Sequence, residues 1–239
     1  MEIKIFQKGF NYSQDGPGNR LVYHLRGCNM RCPWCANPEG LAASGTGTKV
    51  DTLIDEVLRS RSMFFDGGGV TFTGGEPSVQ FEALAFILKT LHSHGIDTAV
   101  ETNASHIRLP ELFGDIDHLI MDFKHPFADK HREFTGICLE TVIENIRQAC
   151  ENHRDVLIHI PMVNGYNASR EEMAAFAETL STFPKKNIRI EPLWYHEYGK
   201  VKWEQLHLPY TVENGHLTEK QKQDFVSILR EYGLTAVKT

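Results

Sequence analysis

Apolar positions along this chain alternate between two spacings. Leu21-Val22-Tyr23-His24-Leu25 is a near-continuous apolar run of strand length. Runs at Val70 to Thr73, Thr98 to Glu101, His118 to Asp122, Val156 to Ile160 and Ile188 to Glu191 repeat it. Between them the period lengthens to that of a helix. Leu53, Ile54, Val57 and Leu58 share a face within 52–65, and Phe81, Leu84, Ala85, Leu88 and Leu91 form a stripe that Gly95 stops. Further helices are predicted over Leu139 to Asn152, from an N-cap at Ser169 to Leu180, and from Thr218 to Tyr232. The segments Gly40 to Lys49 and Lys200 to Leu217 read as loop. Short buried runs alternating with amphipathic helices predict a parallel sheet with right-handed crossovers. Six such units fall short of the eight of a closed barrel, so the pattern predicts an open partial (β/α)6 barrel or a doubly wound sheet.

In either architecture, chemistry collects at the carboxyl ends of the strands. The polar residues obey that rule. A cysteine-rich loop follows the first strand, Gly74-Gly75-Glu76-Pro77 the second, and Glu101-Thr102-Asn103 ends the third. Asp122-Phe123-Lys124-His125 ends the fourth, His159 lies late in the fifth, and Glu191 with Tyr195-His196-Glu197 follows the sixth. The reading is one domain over residues 1–239, with residues 1–20 as an N-terminal extension capping the barrel.

The cysteine loop is Cys28-Asn29-Met30-Arg31-Cys32-Pro33-Trp34-Cys35. Three thiolates at this spacing can hold three corners of a 4Fe–4S cluster, which usually takes four cysteines. The fourth iron would then be open to a ligand. Zinc is the alternative, but it needs four ligands. The ten residues after Cys35 supply no His, Cys or Asp, and the nearest preceding histidine is His24. Cys150 falls on an apolar helix stripe and reads as core; Cys138 lacks cluster spacing. A net charge of -6 on 239 residues argues against general nucleic-acid binding. The start Met1-Glu2-Ile3-Lys4-Ile5 lacks a signal-peptide pattern, and no apolar run reaches membrane-spanning length, so a cytoplasmic protein is expected; a monomer is expected as well.

The cysteine loop together with Thr73-Gly74-Gly75-Glu76-Pro77 resembles the radical S-adenosylmethionine (SAM) superfamily. More narrowly, the chain resembles the activating enzymes of glycyl radical enzymes, typified by pyruvate formate-lyase activating enzyme. The narrower resemblance rests on Asp15-Gly16-Pro17-Gly18, on Asp122-Phe123-Lys124, and on Ile158-His159-Ile160-Pro161 with Gly165-Tyr166-Asn167. The run from Tyr195 to Trp203, Tyr-His-Glu-x-Gly-Lys-x-Lys-Trp, completes it.

The resemblance implies a radical SAM partial barrel. In it Cys28, Cys32 and Cys35 would ligate a 4Fe–4S cluster, and the open iron would chelate SAM. One electron from the cluster would break the S–C5′ bond, and the resulting 5′-deoxyadenosyl radical would take a hydrogen atom from a glycine of a partner enzyme. A compact radical SAM enzyme acting on a small molecule, like carboxy-deazaguanine synthase, is the alternative. Trp34, Cys35, Ala36, Gly74, Gly75, Glu76, Asp122, Phe123, Lys124, His159 and His196 are the implied SAM contacts. Trp34 can equally pack the loop, and His159 can equally be a core histidine. Glu101, Thr102 and Asp122 map onto a monovalent-cation site, with an ordinary lysine pair as the alternative for Glu101. Asp15, Gly16, Pro17, Gly18, Lys202 and Trp203 would sit at the barrel mouth and meet the partner's glycine loop. The stretch between Cys35 and Gly67 holds no cysteine, so the ferredoxin-like insert of many such activators is absent. An external electron donor such as flavodoxin is implied.

Overall fold

The computed structural model describes residues 1–184 and 188–237. Its strands are β1 (Glu2–Tyr12), β2 (Asn19–Leu25), β3 (Gly47–Lys49), β4 (Val70–Gly74), β5 (Thr98–Thr102), β6 (His118–Asp122), β7 (Val156–Met162) and β8 (Ile188–Trp194). Its α-helices are α1 (Val50–Arg59), α2 (Phe81–Ser93), α3 (Ala128–Thr135), α4 (Leu139–Asn152), α5 (Arg170–Ser181), α6 (Lys200–Gln205) and α7 (Glu219–Glu231). One eight-stranded sheet runs β3-β1-β2-β4-β5-β6-β7-β8. From β2 to β8 every pairing is parallel, while β1 pairs antiparallel with both β2 and β3. The six parallel strands are those the apolar runs predict, flanked by helices as an open partial barrel.

Alternation along each strand sorts the side chains. Tyr23, Phe72, Val100, Met121, Ile158 and Ile190, one from each parallel strand, are buried in the hydrophobic core with the helices. Tyr23 stacks on Phe72 with ring centroids 5.7 Å apart. The intervening positions face the barrel interior, and many are polar. The expected N-cap at Ser169 is a full capping box with Glu172, and Thr218 forms another with Gln221.

The N-terminal extension has two parts. Residues 2–12 are a long sheet strand, and residues 13–18 turn under the amino-terminal ends of the parallel strands. Ser13, Gln14, Gly16 and Pro17 line a cavity there with His118, Asp155 and Arg189. Arg20 pins this end: it pairs with Asp97 at 2.8 Å and donates to Thr71 Oγ1 and to the Val70 and Pro17 carbonyls. Two further elements fall where loop is predicted, β3 within 40–49 and α6 within 200–217.

Candidate functional site

The carboxyl ends of all six parallel strands open into one cleft. Cys28, Cys32, Trp34, Cys35 and Ala36 line it from the loop after β2, and Thr73, Gly74 and Gly75 from the end of β4. Glu101, Thr102 and Asn103 enter from β5, Asp122 and Lys124 from β6, Pro161 from β7, and Leu193 to His196 from β8.

Glycines hold the root of the cysteine loop. A Cβ on Gly75 would come within 2.3 Å of the Gly27 carbonyl oxygen and 2.6 Å of that of Gly40, so only glycine permits this approach. Gly75 N–H and Glu76 N–H donate to the Leu25 and Gly27 carbonyls, and Gly27 N–H to that of Gly40. Burial pushes the Cys28 thiol up to about 11 and the Cys32 thiol up to about 12, and raises Cys35 too. Lys124 pulls each of them partly back down. Metal binding at these sulfurs therefore releases protons.

Asp122 and Lys124 face the cleft as an ion pair at 2.8 Å. Burial disfavours the ammonium, but Asp122 and the Cys32 sulfur outweigh it, and Lys124 is held protonated. Phe123, between them, turns into the core and meets Phe176 edge-on at 4.9 Å, away from the cleft. Glu76 lies beneath the floor, fully buried. Its Oε1 accepts from Ser78 N–H, Ser78 Oγ–H and Thr102 Oγ1–H, and its Oε2 from Asn103 N–H. It ties the end of β4 to the end of β5. Burial raises its carboxyl, against the pull of those four donors.

His159 also lies below the cleft, between Glu101 (Nδ1 to Oε1, 3.3 Å) and Glu191 (Nε2 to Oε2, 3.4 Å). Burial opposes its charge, but the two carboxylates outweigh burial and raise it. Burial would likewise raise Glu101, but His159 and the Thr73 hydroxyl, 2.5 Å away, hold it well below the usual carboxylate range. The groups expected for a monovalent cation are thus committed elsewhere: Glu101 to His159, Asp122 to Lys124, and the Thr102 hydroxyl to Glu76.

Asp15 to Gly18 do not stand at the mouth. They lie at the opposite end of the barrel, where Gly16 and Pro17 line a cavity and the Asp15 carboxyl, pushed up to about 6 by burial and then by Glu101, accepts from Asn11 Nδ2. Lys202 and Trp203 lie behind the cysteine loop, bonded to Asn37 Oδ1 and to the Cys35 carbonyl. Leu193 and Trp194 also line the cleft, a role the sequence hides because Pro192 reads as a strand end. As an edge strand, β8 tolerates it. Asn103, bonded through Nδ2 to Asn29 Oδ1 at 2.8 Å, was missed as a site residue; its place in a polar run after a strand was the available signal.

The cleft holds the groups that the resemblance assigns to a cluster and SAM. It presents three thiols, an ammonium–carboxylate pair, and the Trp34 indole N–H, which is buried without an acceptor among the described residues. No group of three or more His, Cys, Asp or Glu converges on a single metal-ion position among the described residues. No described helix is long and apolar enough to cross a membrane.

The Radical SAM superfamily model matches residues 22–177. A pyruvate formate-lyase-activating enzyme of Streptococcus mutans is 31% identical over 84% of this chain and 80% of its own length. A 4-hydroxyphenylacetate decarboxylase activating enzyme of Clostridioides difficile is 28% identical over 92% of each. The crystal structure of a domain of pyruvate-formate lyase-activating enzyme from Bacteroides vulgatus superposes with a TM-score of 0.59 at 29% identity, covering 72% of this chain and 98% of that one. A family match over residues 22–177 and similarity to activating enzymes over most of the chain lead to one assignment: the chain belongs to the radical SAM superfamily, as an oxidoreductase closely related to the activating enzymes of glycyl radical enzymes.

Proposed function

We propose that this protein is an activase: it cleaves SAM reductively and abstracts a hydrogen atom from a backbone glycine of a partner glycyl radical enzyme. The observation that carries this reading is the convergence of Cys28, Cys32, Cys35, Asp122 and Lys124 on one open cleft, in a chain resembling such activators along most of its length. Held by Cys28, Cys32 and Cys35, a reduced 4Fe–4S cluster would supply the single electron that splits SAM into methionine and, after the hydrogen abstraction, 5′-deoxyadenosine, with the unpaired electron left on the partner's glycine.

Cys28, Cys32 and Cys35 would hold the cluster. Lys124, charged beside the sulfurs, offsets thiolate charge, which favours the electron-rich state. With Asp122 it offers a cation and an anion to the amino-acid end of SAM, a zwitterion. Gly74 and Gly75 leave backbone room beside that end, while Trp34, Ala36 and His196 line the wall for the nucleoside. Apolar Leu193 and Val163 limit water near the reacting carbon. The electron comes from outside the chain, from a small carrier such as flavodoxin.

Anaerobic reconstitution followed by reduction with SAM tests the reading. About four irons and four sulfides per chain, 5′-deoxyadenosine formation, and a glycyl radical signal by electron paramagnetic resonance on an added glycyl radical enzyme are expected. Turnover of SAM with no such signal on any glycyl radical enzyme encoded in the same genome would sink the activase reading and leave a small-molecule substrate.

A further inference from the structure

We propose that the turn and short helix 199–203 clamp the third cysteine, and that Gly199 and Trp203 are positioning residues for Cys35. The proposal rests on the reading of the cysteine loop as a cluster site.

Three contacts reach one short stretch of the loop. Trp203 donates its indole Nε1–H to the Cys35 carbonyl at 2.9 Å. Gly199 lies so close that an added Cβ would come within 2.6 Å of the same carbonyl oxygen and 2.9 Å of the Ala36 Cα. Its backbone is ordinary right-handed helical, φ -74. The glycine is therefore required by proximity and not by conformation. Lys202 then bonds Asn37 Oδ1 at 3.1 Å and pairs with Glu39 at 3.2 Å, fixing the chain just past the cysteine.

The clamp is itself anchored. Trp203 is only 9% exposed and meets Tyr210 edge-on at 5.9 Å. The Tyr210 hydroxyl bonds that of Tyr195 at 2.7 Å, and Tyr195 lines the cleft. Holding the Cys35 carbonyl fixes the peptide plane after Cys35, and so limits where its Cα–Cβ bond can aim the sulfur. The root of the loop is fixed separately, by Gly27, Gly40 and Gly75. The two ends of the ligand loop thus have different keepers, and loss of the clamp should free Cys35 while leaving Cys28 held. A tryptophan already buried against the loop also has little surface left for a partner protein.

The test uses the full chain with Trp203→Phe, which keeps a ring but removes the donor, and Gly199→Ala, which forces the carbonyl away. Circular dichroism melts check folding, and if one variant does not fold the other carries the test. In metal-free protein, iodoacetamide labelling is followed for each cysteine by mass spectrometry. In reconstituted protein, iron release to a chelator is followed by absorbance. Loss of a group that orients a metal ligand commonly costs 10–100-fold in affinity, so iron should leave at least about tenfold faster in both variants. Cys35 labelling should rise by several fold with Cys28 unchanged. Wild-type labelling at Cys35 in the folded variants overturns the clamp, as does an equal rise at all three cysteines, which is general loosening. Wild-type protein that takes up no sulfide-bound iron overturns the cluster reading instead, and the labelling still decides the clamp.

Discussion

Replacing Glu76 with glutamine tests whether this glutamate is a structural tie and not a ligand of SAM. Its carboxylate is fully buried and holds four donors: Ser78 N–H, Ser78 Oγ–H, Thr102 Oγ1–H and Asn103 N–H. A glutamine can keep its oxygen toward the two hydroxyls and Ser78 N–H, because they share one carboxylate oxygen. Its NH2 then faces Asn103 N–H, donor against donor. One buried N–H left unsatisfied costs about 1–3 kcal/mol, and three charge-assisted bonds weaken toward neutral ones, each losing on the order of 0.5–1 kcal/mol. Relief of burying a charge offsets part of this. The net expectation is a loss of roughly 2–4 kcal/mol, or about 4–16 °C in melting temperature for a chain of this size. Urea titration of metal-free protein measures it, with no SAM or cluster present. A loss under about 1 kcal/mol would refute the reasoning and return Glu76 to the ligand-binding groups.

Arg20→Met should cost roughly 3 kcal/mol in the same urea assay, since it strands Asp97 and removes four hydrogen bonds at the closed end of the barrel; a neutral result would mean that Asp97 is satisfied by His118 alone. His159→Gln should flatten the pH profile of stability. The raised His159 contributes fully below its ordinary value near 6.5 and loses that contribution as pH climbs through its raised one; the depressed Glu101 contributes above its ordinary value near 4.3 and loses it as pH falls through its lowered one. Wild-type melting temperature should therefore drop from neutral toward alkaline pH more steeply than the variant's, and parallel curves would dismiss the ion pair. Lys124→Met should weaken SAM binding to reconstituted protein by at least about tenfold, as loss of a charged hydrogen bond does, measured by equilibrium dialysis under anaerobic conditions; unchanged affinity would place SAM elsewhere in the cleft. Cys32→Ala should abolish 5′-deoxyadenosine formation in reconstituted protein, and full activity would remove Cys32 from the ligand set.

Much of the barrel is legible in the chain because each parallel strand is buried on both faces and so reads as an apolar run with a polar end. The alternation of Asp122, Phe123 and Lys124 shows the same logic at single-residue scale. Two-residue spacing places the charged pair in the cleft, and the intervening ring goes to the core. What escapes is whatever depends on distant parts of the chain. The Gly-Gly-Glu run does not reveal that Glu76 turns down toward Ser78, Thr102 and Asn103. Nor does the basic-aromatic look of Lys202-Val201-Lys200 beside Trp203 reveal that the indole is committed to Cys35, far away in sequence. Helix α3 carries too little apolar surface to show a stripe. Strand β1 alternates only weakly, because much of it is exposed and held by pairing with its neighbours.

The antiparallel strand β1 decides more than the shape of one edge. A strand has two hydrogen-bonding flanks and can satisfy one neighbour on each. On β2 both flanks are spent, one on β4 and the other on β1. At the far end of the sheet, β8 spends one flank on β7, and its Ile190 is met on the other by residues 236 and 237. The ring therefore cannot be closed by further curling, because β2 has no flank left to offer β8. The aperture is set by the valence of the backbone and not by the bulk of side chains. It will persist through any repacking of the interior that leaves residues 2–12 in place.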